Sequence, residues 1–200
     1  PGSALAPPTI LRDSMREVAR SAMPVVISKA NALATVHRAT YLDYVAVKDF
    51  NKRGDPVAEH RFVGLWTSTA YFSSPHDIPL LRRKIDTVIA HFDLDPSSHD
   101  GKAAQAVLET WPRDELFQSS EAELIEFVRG VVNLYERRTT LLLARRDPFG
   151  RFWSCMVYVP RDRYTTDVRH RIERILLDTL GGSEIETQVQ ISGSNHARVH

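Results

Sequence analysis

The sequence has little of what several large protein classes require. Its 200 residues include one cysteine, Cys155, so no disulfide can form within the chain, and we expect a reducing, cytoplasmic compartment. No uncharged apolar run approaches the roughly 20 residues of a membrane-spanning helix. Residues 1–15 lack the basic flank and apolar core of a secretory signal. We therefore expect no membrane partner, and we interpret residues 1–24 as a linker leading into a helix.

Nucleotide and nucleic-acid signatures are also missing. None of the nine glycines falls into a GxGxxG or GxxxxGK[ST] pattern, so neither type of nucleotide site is expected here. The chain carries 26 basic and 25 acidic residues, a net charge of +1, which does not favour a nucleic-acid partner. The stretch 137–174 is nevertheless rich in arginine. A solvated face is the simpler interpretation of that stretch, and a nucleic-acid-binding module is kept as an alternative.

The first two-thirds of the sequence predict an α+β protein whose strands come before its helices. Residues 35–50 and 57–71 alternate valine, threonine and aromatic side chains on either side of a turn at 51–56, which predicts a hairpin preceded by at least one more strand. Apolar residues at helical spacing then predict three helices over 76–138. Pro79 suits a first helical turn, Pro112 ends the second helix, and Ser120 with Glu123 forms a capping box for the third.

Residues 139–200 have the pattern of a ferredoxin-like ββαβ layer. A strand over 139–146 leads into Asp147-Pro148-Phe149-Gly150, which fits a type I turn. The return strand is apolar on both faces, as in a central strand. A helix capped by Thr165 or Thr166 ends at the paired glycines 181–182, and a last strand covers 185–191. We interpret the remainder as a polar tail, so the ββαβ count looks truncated.

Several weak chemical patterns favour structural interpretations. The run 93–98 resembles the opening of a calcium loop but lacks the required glycine and glutamate, so we expect a loop closed by aspartate–backbone bonds. His196 and His200 could hold zinc, but a fraying tail is the favoured interpretation. Cys155 lies in an apolar strand and is expected to be an inert thiol. A hydrolase remains a rival hypothesis; its candidate residues are His37, His60, Ser68 and Thr69.

Five arginines near the last hairpin form the one candidate site. Guanidinium groups gathered at strand ends can hold a carboxylate or phosphate through two parallel hydrogen bonds. The simpler alternative is a set of ion pairs and a subunit contact. The candidate effector or subunit-contact residues are Arg145, Arg146, Arg151, Arg161 and Arg163.

Several blocks of sequence resemble one family, the very large bacterial NAD-specific glutamate dehydrogenases. The resemblance runs from about residue 25 to about residue 180, and Trp66 and Trp111 are conservative departures from it. The blocks are SKANALATVHRATYLDYVAVK (28–48), FVGLWTSTAY (62–71), DIPLLRRKI (77–85), SHDGKA (98–103), LETWPRDELFQ (108–118) and RRDPFGRFWSCMVYVPRDRY (145–164).

The resemblance implies a non-catalytic regulatory or assembly segment from the long N-terminal region of that enzyme. The parent would convert L-glutamate, NAD and water to 2-oxoglutarate, ammonia and NADH, with catalysis and NAD binding further along the chain. The implied parts are PAS-like (25–75), helical (76–138) and ACT-like (139–200). Implied partners are other domains of the same chain, further copies in a homo-oligomer, and a small amino-acid effector. A free-standing ACT-type amino-acid sensor is the alternative.

Overall fold

The computed structural model describes residues 13–36, 40–134, 137–191 and 195–200. The chain folds into two compact units. The first comprises the residues up to Leu65 together with 148–151, and the second comprises 66–147 and 152–200. Both combine helices with antiparallel sheets, which confirms the predicted α+β class.

The first unit is a three-stranded antiparallel sheet with one short helix against it. The helix α1 (Asp13–Arg20) is followed by β1 (Val25–Leu33), β2 (Tyr41–Phe50) and β3 (Pro56–Gly64), in the sheet order β1-β2-β3. The predicted hairpin is present: Asn51 Oδ1 accepts bonds from the backbone N–H groups of Arg53 and Asp55 at 2.8 and 3.0 Å. Gly54 adopts φ +84° there, a conformation that costs glycine little.

A buried lysine fixes α1 to this sheet. The ammonium group of Lys48 donates to the backbone oxygens of Val18 and Ser21 and to the Ser21 hydroxyl. These acceptors lie at the C-terminal end of α1, where carbonyl groups have no partner within the helix. Burial lowers the pKa of Lys48, and the charge of Glu59 opposes that shift. The lysine therefore satisfies the helix end beside a small core of Val18, Val26 and Ala46.

The second unit begins with five helices. They are α2 (Ser68–Phe72), α3 (Pro79–Phe92), α4 (His99–Thr110), α5 (Arg113–Gln118) and α6 (Glu121–Leu134). The three predicted helices correspond to α3, α4 and α6, and the capping box is present, with Ser120 N donating to Glu123 Oε2 at 2.7 Å and Glu123 N to Ser120 Oγ at 3.2 Å. The strand predicted to reach residue 71 was wrong, since β3 ends at Gly64, and α5 was not predicted.

The second unit ends with a four-stranded antiparallel sheet and one further helix. The elements are β4 (Leu141–Arg146), β5 (Trp153–Pro160), α7 (Thr166–Leu180), β6 (Val189–Ile191) and β7 (His196–Val199), in the sheet order β4-β5-β7-β6. The predicted central position of β5 is confirmed. The prediction of a polar tail after residue 191 was wrong. The strand β7 pairs with both β5 and β6, and Ala197 within it is completely buried.

The two faces of this sheet meet different helices. Val157, Val159 and Val199 face α7 and contact its apolar side chains. On the opposite face, a Cβ placed on Gly130 of α6 would lie 3.4 Å from Leu141 and 3.5 Å from Leu143, which shows how closely the helix approaches β4. Alternation along the strands thus gives one face to α7 and the other to the earlier helices.

Candidate functional site

The five candidate arginines do not form one cluster in the structure. Arg145 and Arg146 end β4, and since successive side chains of a strand point to opposite faces, they lie on opposite sides of the sheet. Arg161 and Arg163 follow β5, at its far end from Arg145, and eight residues of strand span about 26 Å. Arg151 belongs to the first unit. Arg145 is therefore not in one cluster with Arg161 and Arg163.

Arg145 forms a buried ion pair with Glu115 of α5. Its Nε donates to Glu115 Oε2 at 3.1 Å and its Nη2 to Glu115 Oε1 at 2.9 Å, a two-pronged geometry. Nη2 also donates to Gln118 Oε1 at 3.1 Å. The side chains of Arg145 and Glu115 are 2% and 5% exposed. This pair joins the short helix to the first strand of the sheet.

A histidine directly after β7, His200, also lies close to Glu115. His200 Nε2 lies 3.8 Å from Glu115 Oε1 and 3.1 Å from the hydroxyl of Ser154, the residue opposite Arg145 in the β4–β5 register. Burial raises the pKa of the Glu115 carboxyl, but His200 and Arg145 outweigh it and bring that pKa to about 2. The carboxylate is therefore ionised at neutral pH and available as an acceptor only.

Cys155 is half-buried near this cluster. Burial and the negative charge of Glu115 both raise the pKa of its thiol. A raised pKa keeps the thiol protonated at neutral pH, where only the thiolate is a good nucleophile. The expectation of an inert cysteine is consistent with these surroundings.

Lys84 of α3 contacts α5 from another side. Its ammonium group donates to the backbone oxygens of Leu116, Phe117 and Ser119 at 2.8, 3.0 and 2.7 Å, so all three of its N–H bonds have acceptors at the C-terminal end of α5. Burial lowers the pKa of Lys84 to about 8, against the opposing charges of Glu121 and Glu123. With Arg145, this lysine fixes a helix of six residues that could not be stable alone.

Arg151 is bound inside the first unit. Its guanidinium group donates to Ser28 Oγ at 2.9 Å and Asn31 Oδ1 at 3.3 Å, both on β1. It also lies 4.8 Å from the ring centroid of Phe149, whose ring meets Tyr44 edge-on at 5.7 Å. The turn predicted at 147–150 thus contributes Phe149 to the apolar layer of this unit.

The other three arginines are exposed. Arg146 lies over the ring of Trp153 at 5.8 Å, and that indole is 43% exposed. Arg161 and Arg163 occupy a short 3-10 turn directly after β5. These side chains are accessible to a ligand or to another protein surface, whereas Arg145 is enclosed.

Other residues that the sequence analysis considered as possible metal ligands take part in structural contacts. Asp95 Oδ1 accepts bonds from the N–H and hydroxyl of Ser97 at 2.8 Å, which confirms the closed loop. His196, expected in a fraying tail, is instead buried on β7 and bonded to the Thr139 backbone oxygen at 3.2 Å. Over the described ranges, no group of three or more histidine, cysteine or acidic residues could hold a metal ion.

The hydrolase candidates are only partly described. His60 Nε2 lies 2.9 Å from Asp49 Oδ2 on the exposed hairpin of the first unit. Ser68 and Thr69 are in α2 of the second unit. His37 lies outside the described residues. Among the helices that the structure describes, none is long and apolar enough to cross a membrane.

Comparisons with known proteins point to one family. Residues 78–137 match the model "Glutamate dehydrogenase, helical motif 1", and residues 141–200 match "Glutamate dehydrogenase, ACT2 domain". The ion pair between Glu115 and Arg145 therefore connects the two matched regions.

Three curated relatives carry the name NAD-specific glutamate dehydrogenase. The chain is 37% identical over 179 residues to the Halomonas elongata protein, 40% over 178 to that of Pseudomonas aeruginosa and 37% over 176 to that of Mycobacterium tuberculosis. Each match covers 88% of this chain but only 11% of the relative. The chain belongs to the family of NAD-specific glutamate dehydrogenases, as a segment that carries their helical motif 1 and their ACT2 domain.

Proposed function

We propose that the chain is a non-catalytic regulatory or assembly segment from the N-terminal region of an NAD-dependent glutamate dehydrogenase. The parent would oxidise L-glutamate with NAD and water to 2-oxoglutarate, ammonia and NADH, and both NAD and substrate would bind elsewhere in the longer protein. The observation that carries this proposal is the pair of family matches, to a helical motif and an ACT2 domain, in a chain covering 11% of relatives with that name.

The electrostatics of the second unit support a structural role. The Glu115 carboxylate, with a pKa of about 2, is poorly matched to proton transfer near neutral pH, because an efficient general acid or base has a pKa close to the working pH. The Lys84 ammonium has all its donors engaged. The raised pKa of Cys155 disfavours its thiolate. Glu115 and Lys84 therefore position elements, and Cys155 is disfavoured as a nucleophile.

The joint between helices and sheet is suited to transmitting a change in one to the other. Arg145 connects β4 to α5, and Arg198 Nη1 of β7 donates to the backbone oxygen of Thr110 at the end of α4, at 3.0 Å. Packed elements with directed hydrogen bonds move as units. A ligand or subunit on the ACT domain would thus act on the helical motif through these bonds.

We further propose the division into a linker and helix (1–24), a PAS-like part (25–75), a helical part (76–138) and an ACT-like part (139–200). Support for the PAS-like part is the antiparallel three-stranded sheet. The proposed surroundings are cytoplasmic, with other domains of the parent and further copies of it as partners.

The effector hypothesis rests on the exposed arginines. Arg146 at one end of the sheet, or Arg161 with Arg163 at the other, is accessible to the carboxylate of a small amino acid or of a neighbouring subunit, whereas Arg145 acts by holding α5. Calorimetric titration of the segment with glutamate and other amino acids tests the effector version. Binding that is lost in Arg146→Ala or in Arg161→Ala/Arg163→Ala supports it, and the absence of binding heat in the native segment rejects it.

An absorbance assay tests the proposed division of labour. We expect the 200-residue segment to form no NADH from glutamate and NAD, while the full-length enzyme does so under the same conditions. Turnover by the segment alone would overturn the proposal. A parent reading frame that ends near this segment would instead favour the free-standing amino-acid sensor.

A further inference from the structure

The short helix α5 is attached to its unit mainly through side-chain bonds. The closest packing of backbones in this unit joins α3, α4 and α6 to one another and α6 to β4, and among the described elements α5 takes no part in it. Its attachments are the ion pair with Arg145, the three bonds from Lys84, and a bond from the Tyr71 hydroxyl to Asp114 Oδ1 at 2.8 Å. These bonds therefore decide whether the helix stays in place.

The backbone separates α5 from both neighbouring helices. Pro112 before it and Ser119 after it have ψ angles of 130° and 143°, outside the helical range. The bonds of the helix run from Leu116 N to Pro112 O at 2.9 Å and from Ser119 N to Glu115 O at 2.8 Å. Since these bonds close within residues 112–119, the α5 segment, that segment can open as a unit while α4 and α6 remain helical.

Buried polar atoms without a hydrogen-bond partner gather at this segment. In the part of the chain that the structure describes, they include Trp111 Nε1, Arg113 Nε, Ser119 Oγ and Arg145 Nη1. The first three lie in or next to the α5 segment, and the fourth belongs to the arginine that holds it. A buried donor without a partner has lost its hydration and gained no bond, so it destabilises the closed arrangement. The buried charges of the ion pair with Glu115 also regain hydration when the pair separates.

We propose that the α5 segment opens locally in the folded chain, in an equilibrium separate from unfolding of the remainder of the second unit. In the open state, Lys84 and Arg145 lose their bonds to α5 together and the buried polar atoms gain water. Burial of Leu116 and Phe117 opposes the opening and keeps the open state a minor population. Because Lys84 and Arg145 lie in the two matched regions, the opening interrupts their connection through α5. The inference is independent of the proposed function.

Native-state hydrogen exchange, followed amide by amide with NMR, tests the proposal. The amides of Leu116 and Ser119 should be at least about a hundredfold less protected than those of Val128 and Val131 in the middle of α6. Low concentrations of urea should hardly change exchange in the α5 segment, because a local opening exposes little surface, but should accelerate exchange in α6. Equal protection in the two helices would overturn the proposal.

A substitution outside α5 separates local opening from global unfolding. A Cβ on Gly101, at the start of α4, would meet the backbone oxygen of Asp95, and the strain introduced by Gly101→Ala persists when only the α5 segment is open. Exchange of the Val128 amide should therefore accelerate at least about fivefold, whereas exchange of the Leu116 amide should stay the same. Acceleration of both amides by the same factor would show that α5 opens only when the whole unit unfolds, and the proposal would be wrong.

Two variants at the α5 segment should have opposite effects on the Leu116 amide. Lys84→Met removes three bonds that hold the closed state, so exchange should accelerate at least about tenfold. Ser119→Ala removes the buried hydroxyl described above and should slow it. Lys102→Met, at an exposed position of α4, is the control and should change nothing, and circular dichroism establishes that each variant is folded. Unchanged exchange in Lys84→Met, or faster exchange in Ser119→Ala, would contradict the proposal.

Discussion

Individual lysines carry much of the structural chemistry of this chain. Arginine outnumbers lysine 21 to 5, yet three of the five lysines, Lys29, Lys48 and Lys84, have side chains that are wholly or largely buried and bonded. Two of them satisfy the carbonyl groups at a helix end. An ammonium group directs three donors at separate acceptors from one point, which a planar guanidinium group cannot do. The sequence reveals that lysine is rare, but not which carbonyl groups each ammonium meets.

Lys84 should make the free energy of unfolding depend on pH in the alkaline range. Its pKa in the folded chain is about 8, below the ordinary 10.5, so between these values the unfolded chain binds more protons at this site. The contribution of Lys84 to the free energy of unfolding therefore rises with pH from about 8 to about 10.5. Urea unfolding of the native chain and of Lys84→Met across this window measures the difference. A difference that falls with pH would contradict the assignment.

Replacing only one partner of the Arg145–Glu115 ion pair should destabilise the chain strongly. Arg145→Met leaves a buried carboxylate without its main partner, and the expected loss is about 3–5 kcal/mol in the free energy of unfolding. Replacing both residues, as in Arg145→Met/Glu115→Leu, removes the charge as well and should recover most of that loss. Chemical denaturation of both variants measures it. Equal losses in the single and double variants would show that the pair is not coupled.

At the scale of elements, local sequence signals were sufficient to predict the long helices, but they did not predict the short elements. The boundaries of α3, α4 and α6 follow from apolar periodicity, prolines and a capping box, all of which lie within the segments themselves. The six-residue α5 exists because Lys84 and Arg145 hold it from elsewhere in the chain. β7 has four residues, and its identity comes from pairing with β5 and β6. The sequence named Arg145 only as a candidate effector or subunit contact, and its partner Glu115, 30 residues earlier, was not predicted.

Two helical glycines should respond oppositely to alanine. A Cβ on Gly101 of α4 would lie 2.2 Å from the backbone oxygen of Asp95, so Gly101→Ala must displace backbone and should destabilise the chain by about 1–3 kcal/mol. On Gly130 of α6 the nearest atom is 3.4 Å away, so Gly130→Ala should stabilise by up to about 1 kcal/mol through helix propensity. Thermal unfolding measures both changes. Similar changes in the two variants would contradict the close approach at Gly101.

At the scale of the whole molecule, the two units differ in how they can be observed. Trp66, Trp111 and Trp153 all belong to the second unit, whereas the buried apolar core of the first comprises Val18, Val26 and Ala46. Tryptophan fluorescence therefore reports the second unit, and far-ultraviolet circular dichroism reports both. The strand-rich and helix-rich regions were predicted from sequence patterns, but the place of residues 148–151 in the first unit was not, because that assignment depends on tertiary contacts.

We expect the first unit to unfold at the lower urea concentration, because little apolar surface is buried in its core. Lys48→Met, which removes the bonds at the end of α1, should lower the midpoint seen by circular dichroism and leave the fluorescence midpoint unchanged. Lys102→Met, at an exposed position of α4, provides the control and should change neither midpoint appreciably. Coincident transitions for every variant would show instead that the two units unfold as one.

The assignment of residues 148–151 to the first unit also governs how this gene can be dissected. A fragment truncated after residue 65 has every strand of the first sheet but lacks Phe149 and Arg151, leaving Tyr44 without its aromatic neighbour and Ser28 without its guanidinium donor. Conversely, a fragment starting at residue 66 keeps those four residues but loses Tyr44, Ser28 and Asn31, which Phe149 and Arg151 contact. Chimeras between relatives should therefore exchange residues 13–65 and 148–151 together, since domain limits drawn along the sequence alone would separate side chains that fold as a set.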